Sequence, residues 1–368
     1  MRVRRAVRRE LAPLIEDALE TPLALVGLSG GADSLALAAA LAAEAPKLGF
    51  RAGALVVDHG LQPGSAEVAQ RAADAARALG LAPVVVRRVV VRDAGGPEAA
   101  ARDARYAAFE DVAEELGASA VLTAHTRDDQ AEQVLLALAR GSGSRSIAGI
   151  PAVRVLRGGA VLLRPLLGSD PEVTRATTVA ACRELGLDPW SDPHNEDPAF
   201  ARVRVRSALL PALARELGPG VAAGLARSAD LAREDADALD AWAGRVVAGL
   251  AAADASNASN ASNAADAADA SDASAEGPPA APTGQPSFVI DERGIAELEA
   301  LPAAVRQRVI HRVAGEIFGS GLSREHTLAV ARLLTHWRGQ GAVFVPGIRV
   351  TRTPGELRFA RQEGSPRG

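Results

Sequence analysis

Apolar runs alternate with helical stretches over the first 140 residues of the chain. Four runs rich in Val, Leu and Ala have the length and composition of buried strands: residues 22–29, 52–58, 82–91 and 118–124. Alanine-rich stretches predict helices near residues 34–46, 65–79, 97–116 and 128–139. Strands that alternate with helices of this length predict an α/β domain, in which a parallel sheet has helices on both faces.

The remainder of the chain is mainly helical in pattern and contains one low-complexity segment. Residues 251–286 repeat small residues in triplets and contain no core-forming side chain, so we predict a disordered linker there. Two helices and a hairpin are predicted after it, within residues 302–318, 323–336 and 341–359. The predicted organisation is a catalytic domain, a helical segment, the linker and a smaller, mainly helical α+β module, at residues 1–216, 217–250, 251–286 and 287–368.

Composition and charge narrow the possible partners and compartments. The net charge is −4, but residues 251–276 contain five acidic residues and no basic one, so the rest of the chain carries +1. A nucleic-acid partner is therefore not excluded. Of the 41 basic residues only Lys47 is lysine, so nearly every long cation is a guanidinium, which suits bidentate phosphate contacts. Cys182 is the only cysteine, which excludes intrachain disulfides and multi-cysteine metal sites. No apolar run suits a signal peptide or a membrane span, which predicts a cytoplasmic protein.

A glycine loop joins the first predicted strand to the first predicted helix of the α/β domain. Its residues are Ser29, Gly30, Gly31, Ala32, Asp33 and Ser34. Two glycines let backbone N–H groups approach an anion, and the following helix start adds unpaired amides. The Asp33 carboxylate beside phosphate is typical of a Mg²⁺ ligand. The alternative is a plain tight turn. The lysine of the common ATP-hydrolysing loop and the dinucleotide-binding glycine pattern are both missing.

A second candidate cluster follows the strand at residues 118–124. It consists of His125, Asp128, Asp129 and Glu132, which share one face if this stretch is helical. Three carboxylates and an imidazole repel one another unless a cation lies among them, and Mg²⁺ or a substrate ammonium would serve. Asp128 is the member best explained as a helix cap. The alternative for the whole cluster is an acidic first helical turn, which is a common pattern.

Four further groups are candidates on weaker grounds. Asp58 and His59 follow the second strand, where they form either a turn or a nucleoside contact. Arg102 and Arg105 lie on one predicted helix, where they either form salt bridges or bind an anion. Arg202, Arg204 and Arg206 alternate with other residues, so an extended segment would align them as a phosphate stripe, whereas a helix would separate them. The arginines at positions 2, 4, 5, 8 and 9 either contact RNA or form a solvated helix end.

The glycine loop resembles the pyrophosphate-binding loop of the ATP pyrophosphatase (PP-loop) superfamily. Five later motifs occur in the order seen in tRNA(Ile)-lysidine synthetases: "VVDHGLQPGS", "EAAARDARYAAF", "LTAHTRDDQAEQVLLALARGSG", "RPLL" and "DPHNEDPAFARVRVRSALLP". This resemblance covers residues 20–215 nearly continuously, and the region after residue 305 is similar to the family's middle domain. It implies that ATP adenylates the wobble cytidine of an isoleucine tRNA with a CAU anticodon. L-lysine then replaces AMP.

The resemblance also implies roles for individual residues. The loop would bind ATP with Mg²⁺ on Asp33, and Asp58 and His59 would contact adenosine or the acceptor base. Asp129 and Glu132 would hold the lysine side chain, while His125 or a neighbouring acid assists proton removal. Arg105 would stabilise charge on the adenylated intermediate. The residues expected to contact tRNA are Arg102, Arg105, Asn195, Arg202, Arg204 and Arg206.

The chain departs from the family pattern in several places. Val203 stands where asparagine is usual, Gln133 stands where threonine is usual, and the family's extra C-terminal domain is not expected here. Family members often pair, so a homodimer is possible. The alternatives are a tRNA thiolase, an amidating ligase of the same superfamily, and a catalytically silent nucleotide- or RNA-binding protein. The intact Asp33 and the second cluster argue against a silent protein.

Overall fold

The computed structural model describes residues 1–15, 21–60, 64–91, 97–141, 143–192, 197–269 and 286–362. The chain forms two compact units, Met1–Arg233 and Glu234–Gly368. No helix in these ranges combines the length and the apolar character needed to cross a membrane.

A six-stranded sheet forms the centre of the first unit. Its strands are β1 (Leu23–Gly27), β2 (Arg51–Asp58), β3 (Val84–Arg88), β4 (Ala118–Leu122), β5 (Val153–Val155) and β6 (Val161–Leu163). The strand order is β3-β2-β1-β4-β6-β5, and all neighbours are parallel except β5 and β6. The predicted α/β sheet is therefore confirmed. The three-residue strands β5 and β6 were not predicted, because such short segments lack a clear period.

Helices cover both faces of this sheet. The α-helices of this unit up to residue 217 are α1 (Arg2–Leu11), α2 (Ala32–Glu44), α3 (Ser65–Ala78), α4 (Pro97–Leu116), α5 (Arg127–Ala139), α6 (Ser144–Ile147), α7 (Arg175–Glu184), α8 (Ala201–Arg204) and α9 (Leu210–Leu217). Along β1 the side chains alternate between two cores: Ala24 and Val26 belong to one, Leu23 and Leu25 to the other. Because both cores exclude water, β1 is apolar along its whole length, as expected for a central parallel strand.

The N-terminal arginines bind their own unit. Arg4 and Arg8 contact the fully buried carboxylate of Glu44, with Nε–O distances of 2.5 and 3.0 Å, and Lys47 Nζ lies 3.1 Å from it. Burial acts to raise the pKa of Glu44, but the hydrogen bonds from these cations outweigh it and lower the pKa to about 2. Arg5 pairs with Asp170, and Arg9 donates to backbone carbonyls of the same unit. These four arginines therefore make contacts within their own unit, while Arg5 and Arg8 remain exposed to solvent as a solvated helix end would be.

One long helix, α10 (Val221–Asp269), runs through the boundary between the two units. The structure differs here from the predicted linker, because α10 continues without a break over residues 251–269. Alanine has the highest helix propensity of all residues, and this segment is rich in it. Residues 270–285 of the predicted linker lie outside the described residues.

The second unit contains a four-stranded antiparallel sheet and three further helices. Its elements are β7 (Ser287–Asp291), α11 (Glu292–Ala300), α12 (Ala303–Phe318), α13 (Arg324–Thr335), β8 (Val343–Val345), β9 (Ile348–Thr353) and β10 (Glu356–Arg361). The order is β7-β10-β9-β8, so the predicted hairpin is part of a larger sheet. Asp291 and Ser323 accept backbone N–H groups at the starts of α11 and α13. The inner face packs Ile348, Val350 and Phe359 into the core.

Candidate functional site

The candidate site is a cavity of about 1110 Å³ at the carboxyl ends of β1, β2 and β4. Ligands of open α/β sheets bind at this edge. The cavity lining includes the glycine loop together with Asp58, His59, Arg102, Arg105, His125, Asp129, Arg202 and Arg206. The structure thus brings together three segments that follow three different strands.

Local hydrogen bonds shape the glycine loop. Gly30 has a φ of +83°, a conformation that side chains disfavour, and Gly31 precedes α2 with an extended backbone. Ser34 Oγ donates to the Gly31 carbonyl at 2.9 Å and accepts from Ser29 N at 3.2 Å. No side chain of the described residues caps α2, so the N–H groups of its first turn remain available to an anion.

Asp33 lies in the first turn of α2 and contacts α7. Thr178 Oγ1 donates a hydrogen bond to Asp33 Oδ1, and Arg175 Nε lies 3.7 Å from Oδ2. Burial raises the pKa of Asp33, while the hydrogen bond from Thr178 lowers it by a smaller amount. The described residues contain no group of three or more His, Cys, Asp or Glu side chains that could hold a metal. A single carboxylate fits Mg²⁺ held jointly with nucleotide phosphates.

Two carboxylates at the start of α5 form structural contacts. Thr126 is the N-cap residue, and its N–H and hydroxyl donate to Asp129 Oδ2 at 2.7 and 3.0 Å. Asp128 Oδ2 accepts the backbone N–H of Arg175 at 2.6 Å. Asp128 therefore caps α7 rather than its own helix, in agreement with its expected capping role. Asp129 keeps Oδ1 for other partners.

Arginines of α7 and α8, and of the π-helical turn Val205–Leu209, neutralise the acidic cluster. Arg175 Nη2 and Arg202 Nη2 lie 3.1 and 2.9 Å from Asp129 Oδ1. Arg202 Nε donates to Glu132 Oε2 at 2.8 Å, while Arg175 Nη1 and Arg206 Nε lie 3.4 and 3.6 Å from Oε1. Where Mg²⁺ or a substrate ammonium was predicted between these carboxylates, the structure has arginine side chains of the protein itself.

The two carboxylates expected to hold lysine differ in access. Asp129 lines the cavity, whereas the Glu132 side chain is 0% exposed and lies beneath arginines. Burial acts to raise the pKa of Asp129, but the charges of Arg202 and Arg175 outweigh it and keep the pKa low. Asp129 is therefore an ionised group at the cavity wall. Glu132 does not line the cavity and can affect it only by holding the arginines that do.

Of the two alternatives for Arg202, Arg204 and Arg206, the structure shows the helical one, because residues 201–209 are helical. Arg202 and Arg206 are four residues apart and both contact Glu132, whereas Arg204 Nη1 donates to the carbonyls of Pro198 and Ala199 at 2.6 and 2.8 Å. Val203 is only 6% exposed, so the residue that departs from the family pattern is a packing residue. Asn195 lies outside the described residues.

Asp58 and His59 occupy the end of β2 beside the cavity. Asp58 Oδ1 accepts the N–H of Gly60 at 3.0 Å, which fits the turn interpretation. Arg105 Nε lies 3.3 Å from His59 Nε2 and donates to it. Burial, with a contribution from Arg105, lowers the pKa of His59 to about 4, so its ring is neutral at pH 7 and accepts this bond.

His125 is half-buried and lies 3.3 Å from Thr123, measured between Nδ1 and Oγ1. Burial lowers its pKa to about 3, and Arg164, Arg202 and Arg102 act in the same direction against the charge of Asp129. His125 is therefore neutral at pH 7 and a weak proton acceptor in this state.

Sequence reasoning missed Arg175, which contacts Asp33, Asp129 and Glu132. Its position could have been suspected from the capping pair Thr174 and Thr177 around it, but that signal predicts only a helix start. Trp190 was also missed: it lines the cavity, and its backbone N–H donates to the Gly30 carbonyl at 3.0 Å. Its neighbours along the chain carry no signal for this contact.

Two protein-family models match this chain. The family model of the PP-loop domain matches residues 3–213, and that of the TilS substrate binding domain matches residues 294–358. The tRNA(Ile)-lysidine synthase of Leifsonia xyli is 53% identical over 92% of this chain and 89% of its own. The enzyme of that name from Salinispora tropica is 51% identical over 96% and 94%.

Among solved structures, U34-tRNA thiolase NcsA from Methanococcus maripaludis, described with its [4Fe-4S] cluster, is similar in fold. The TM-score is 0.50 with 18% sequence identity, over 63% of this chain and 78% of the thiolase. At this identity the likeness concerns the fold alone.

Proposed function

This chain belongs to the tRNA(Ile)-lysidine synthase family, and from that premise we propose that it ligates L-lysine to the wobble cytidine of an isoleucine tRNA with a CAU anticodon. ATP first adenylates the cytidine and pyrophosphate leaves. The lysine side-chain amine then replaces AMP and gives lysidine. The observation that carries the proposal is that the glycine loop, Arg102, Arg105 and Asp129 line one cavity, so both half-reactions have their groups in one place.

The first half-reaction uses the loop and the two arginines of α4. The free N–H groups at the start of α2 hold the outer phosphates of ATP while they leave as pyrophosphate. Mg²⁺ bound at Asp33 would neutralise phosphate charge when present. Arg102 and Arg105 face the cavity and contact the phosphates and base of the anticodon. His59, held by Arg105, contacts the adenosine or the acceptor base.

The charge of the acid–arginine cluster supports binding of one further monocation. This cluster is Asp33, Asp128, Asp129, Glu132, Arg175, Arg202 and Arg206. Its four carboxylates face three guanidinium groups, which leaves one net negative charge. A lysine ammonium at Asp129 Oδ1 would neutralise it, whereas a neutral side chain of similar length would not.

The incoming amine must lose a proton before it attacks, because its ordinary pKa is near ~10.4. His125, with its pKa lowered to about 3, is a weak acceptor in this state. The pKa of Asp129 is also kept low by its arginines, so we assign Asp129 the binding of the ammonium and leave removal of the proton to a neighbouring acid. In this arrangement Asp129 contacts the ammonium, and Glu132 holds Arg202 and Arg175 in the positions that leave Asp129 accessible.

The direct test is mass analysis of tRNA nucleosides after incubation with ATP and isotopically labelled lysine. We expect labelled lysidine in the isoleucine tRNA, with one AMP and one pyrophosphate for each lysine incorporated. Asp33→Asn should abolish the product, and Asp111→Asn, which removes an exposed carboxylate paired with Arg157, should not. Pyrophosphate release that needs neither tRNA nor lysine would contradict the proposal.

This chain lacks the cysteines that the alternative function, a tRNA thiolase, would require. Cys182 is the only cysteine, and it is buried with Sγ 3.3 Å from the Ala32 carbonyl. One buried thiol does not supply the cysteines that an iron–sulfur cluster needs. Pairing of two copies stays a prediction, and sedimentation of the purified chain with and without tRNA would test it.

A further inference from the structure

Arg164, in the chain's "RPLL" motif, is 2% exposed, and no carboxylate of the described residues pairs with it. No ion pair involves it in the part of the chain that the structure describes, and its Nε atom has no hydrogen-bond acceptor there. Its remaining nitrogens donate to the Pro151 carbonyl at 2.6 Å and to the Tyr106 hydroxyl at 2.8 Å. A buried guanidinium without a counter-ion is destabilising, so it is an unusual group to find beside a cavity.

Tyr106 is the only tyrosine of the chain and links Arg164 to the cavity. Its hydroxyl also accepts a hydrogen bond from Arg102 Nη2 at 3.1 Å, so two guanidinium groups share one oxygen. A hydroxyl has two acceptor lone pairs, and both are used here. Arg102 itself is exposed and lines the cavity, whereas Tyr106 is 8% exposed.

We propose that Tyr106, held by Arg164, is a positioning residue that fixes the Arg102 guanidinium toward the adenylated cytidine; this inference rests on the proposed function. An exposed arginine has many rotamers, and fixing it before the substrate binds removes that entropy from the reaction. The side chain of Tyr106 is itself held in place. Its ring packs against Phe109 with ring centroids 5.9 Å apart, and its hydroxyl accepts a hydrogen bond from the buried Arg164.

The alternative explanation is that Tyr106 only fills the core. Its ring already provides that packing, and the ring survives in Tyr106→Phe, which removes a single oxygen. Arg154 supplies a matched control. Its Cζ lies 5.0 Å from the centroid of the same ring, but it is about half exposed and absent from the cavity lining. Replacing Arg154 by Leu therefore changes the ring's surroundings and leaves the hydroxyl contacts intact.

The test is a double-mutant cycle on pyrophosphate release, measured with the full chain, ATP and isoleucine tRNA. We expect Tyr106→Phe to lower kcat about tenfold and to change the KM for tRNA and the Tm little. Arg154→Leu should leave kcat within about twofold, because it breaks no bond to the hydroxyl. In an Arg102→Ala background, Tyr106→Phe should have no further effect, because the group that it positions is gone.

Two outcomes would overturn the positioning role. One is a normal kcat in Tyr106→Phe, and the other is the same fold loss with and without Arg102. The cycle measures pyrophosphate release, so it does not depend on whether lysine is the acceptor. A missing lysidine product would refute the proposed function, and the cycle would still decide whether Tyr106 positions Arg102.

Discussion

The glycine loop and the acid–arginine cluster lie in one cavity but are built differently. The loop spans six consecutive residues and is shaped by hydrogen bonds among Ser29, Gly31 and Ser34. The cluster joins α2, α5, α7, α8 and the π-helical turn, and its partners lie 40 or more residues apart along the chain, such as Glu132 with Arg175 and Arg202. A site made by one turn is specified locally, whereas a site made by several helices depends on how those helices pack. The two regions should therefore respond differently to substitution.

Among substitutions that belong to only one of the two regions, the largest effect is expected from Glu132→Gln in the cluster. The change leaves three guanidinium groups around a neutral amide, and we expect them to close on Asp129 and compete with the lysine ammonium. The KM for lysine should rise about 100-fold, which corresponds to nearly 3 kcal/mol. Because Glu132 is fully buried, the free energy of unfolding should also fall by about 3 kcal/mol. Initial rates over a range of lysine concentrations and urea unfolding measure the two effects. Normal lysine kinetics would refute this role of Glu132.

Arg175→Leu addresses the connection between the two regions. Arg175 contacts Asp33 on one side and Asp129 and Glu132 on the other. Its loss should raise the KM for ATP about tenfold, because a cation is removed from beside Asp33 in the glycine loop, and should lower the KM for lysine about threefold, because a guanidinium that competes with the ammonium at Asp129 is gone. Arg183→Leu, on the same helix with an exposed side chain, is the matched control. A change in only one of the two KM values would separate the regions that we regard as connected.

The pH dependence of stability is the third test, and its sign follows from two histidines. The pKa values of His125 and His59 fall to about 3 and about 4 in the folded chain, from an ordinary value of 6.5. As the pH drops below about 6.5 the unfolded chain binds these protons first, so stability is present above that pH and is lost toward pH 4.

Urea unfolding at pH 7.5 and 5.5 should show a loss of about 1 kcal/mol for each of the two histidines. His125→Gln should remove its share of the pH dependence, and His311→Gln, at an exposed position in the second unit, should not. Equal pH dependence in all variants would show that the neutral His125 ring does not contribute.

The smallest effect is expected from Ser34→Ala in the loop. The change removes the hydroxyl that binds Ser29 N and the Gly31 carbonyl, but the glycines and the start of α2 remain. We expect a loss of about 1 kcal/mol in the free energy of unfolding and a rise of a few fold in the KM for ATP. Ser228→Ala in α10, where the hydroxyl donates to the Gly224 carbonyl at 3.1 Å and does not line the cavity, is the control for a helical serine. A loss as large as that of Glu132→Gln would contradict the local origin of the loop.

Much of the α/β unit was predictable because its signals are local. Apolar runs identified β1, β2, β3 and β4 with errors of a few residues, and the pattern of the loop pointed to phosphate binding. The stretch around Asp254 was predicted to be disordered from its composition, yet the helix propensity of alanine extends α10 through it. The composition of a segment indicates how much apolar surface it can bury, but it does not by itself indicate which backbone conformation the segment prefers.

The linear order of residues was sufficient for the parallel sheet, the phosphate loop and the membership of a lysidine-forming family. Each of these depends on spacing within a few dozen residues, through side-chain period, turn chemistry or motif order. The pairing of Asp129 and Glu132 with three arginines, the burial of Glu132 and the contact of Arg164 with Tyr106 required the folded chain. A charged side chain pairs with an opposite charge that lies close to it in space, and these distances are set only when the helices have packed.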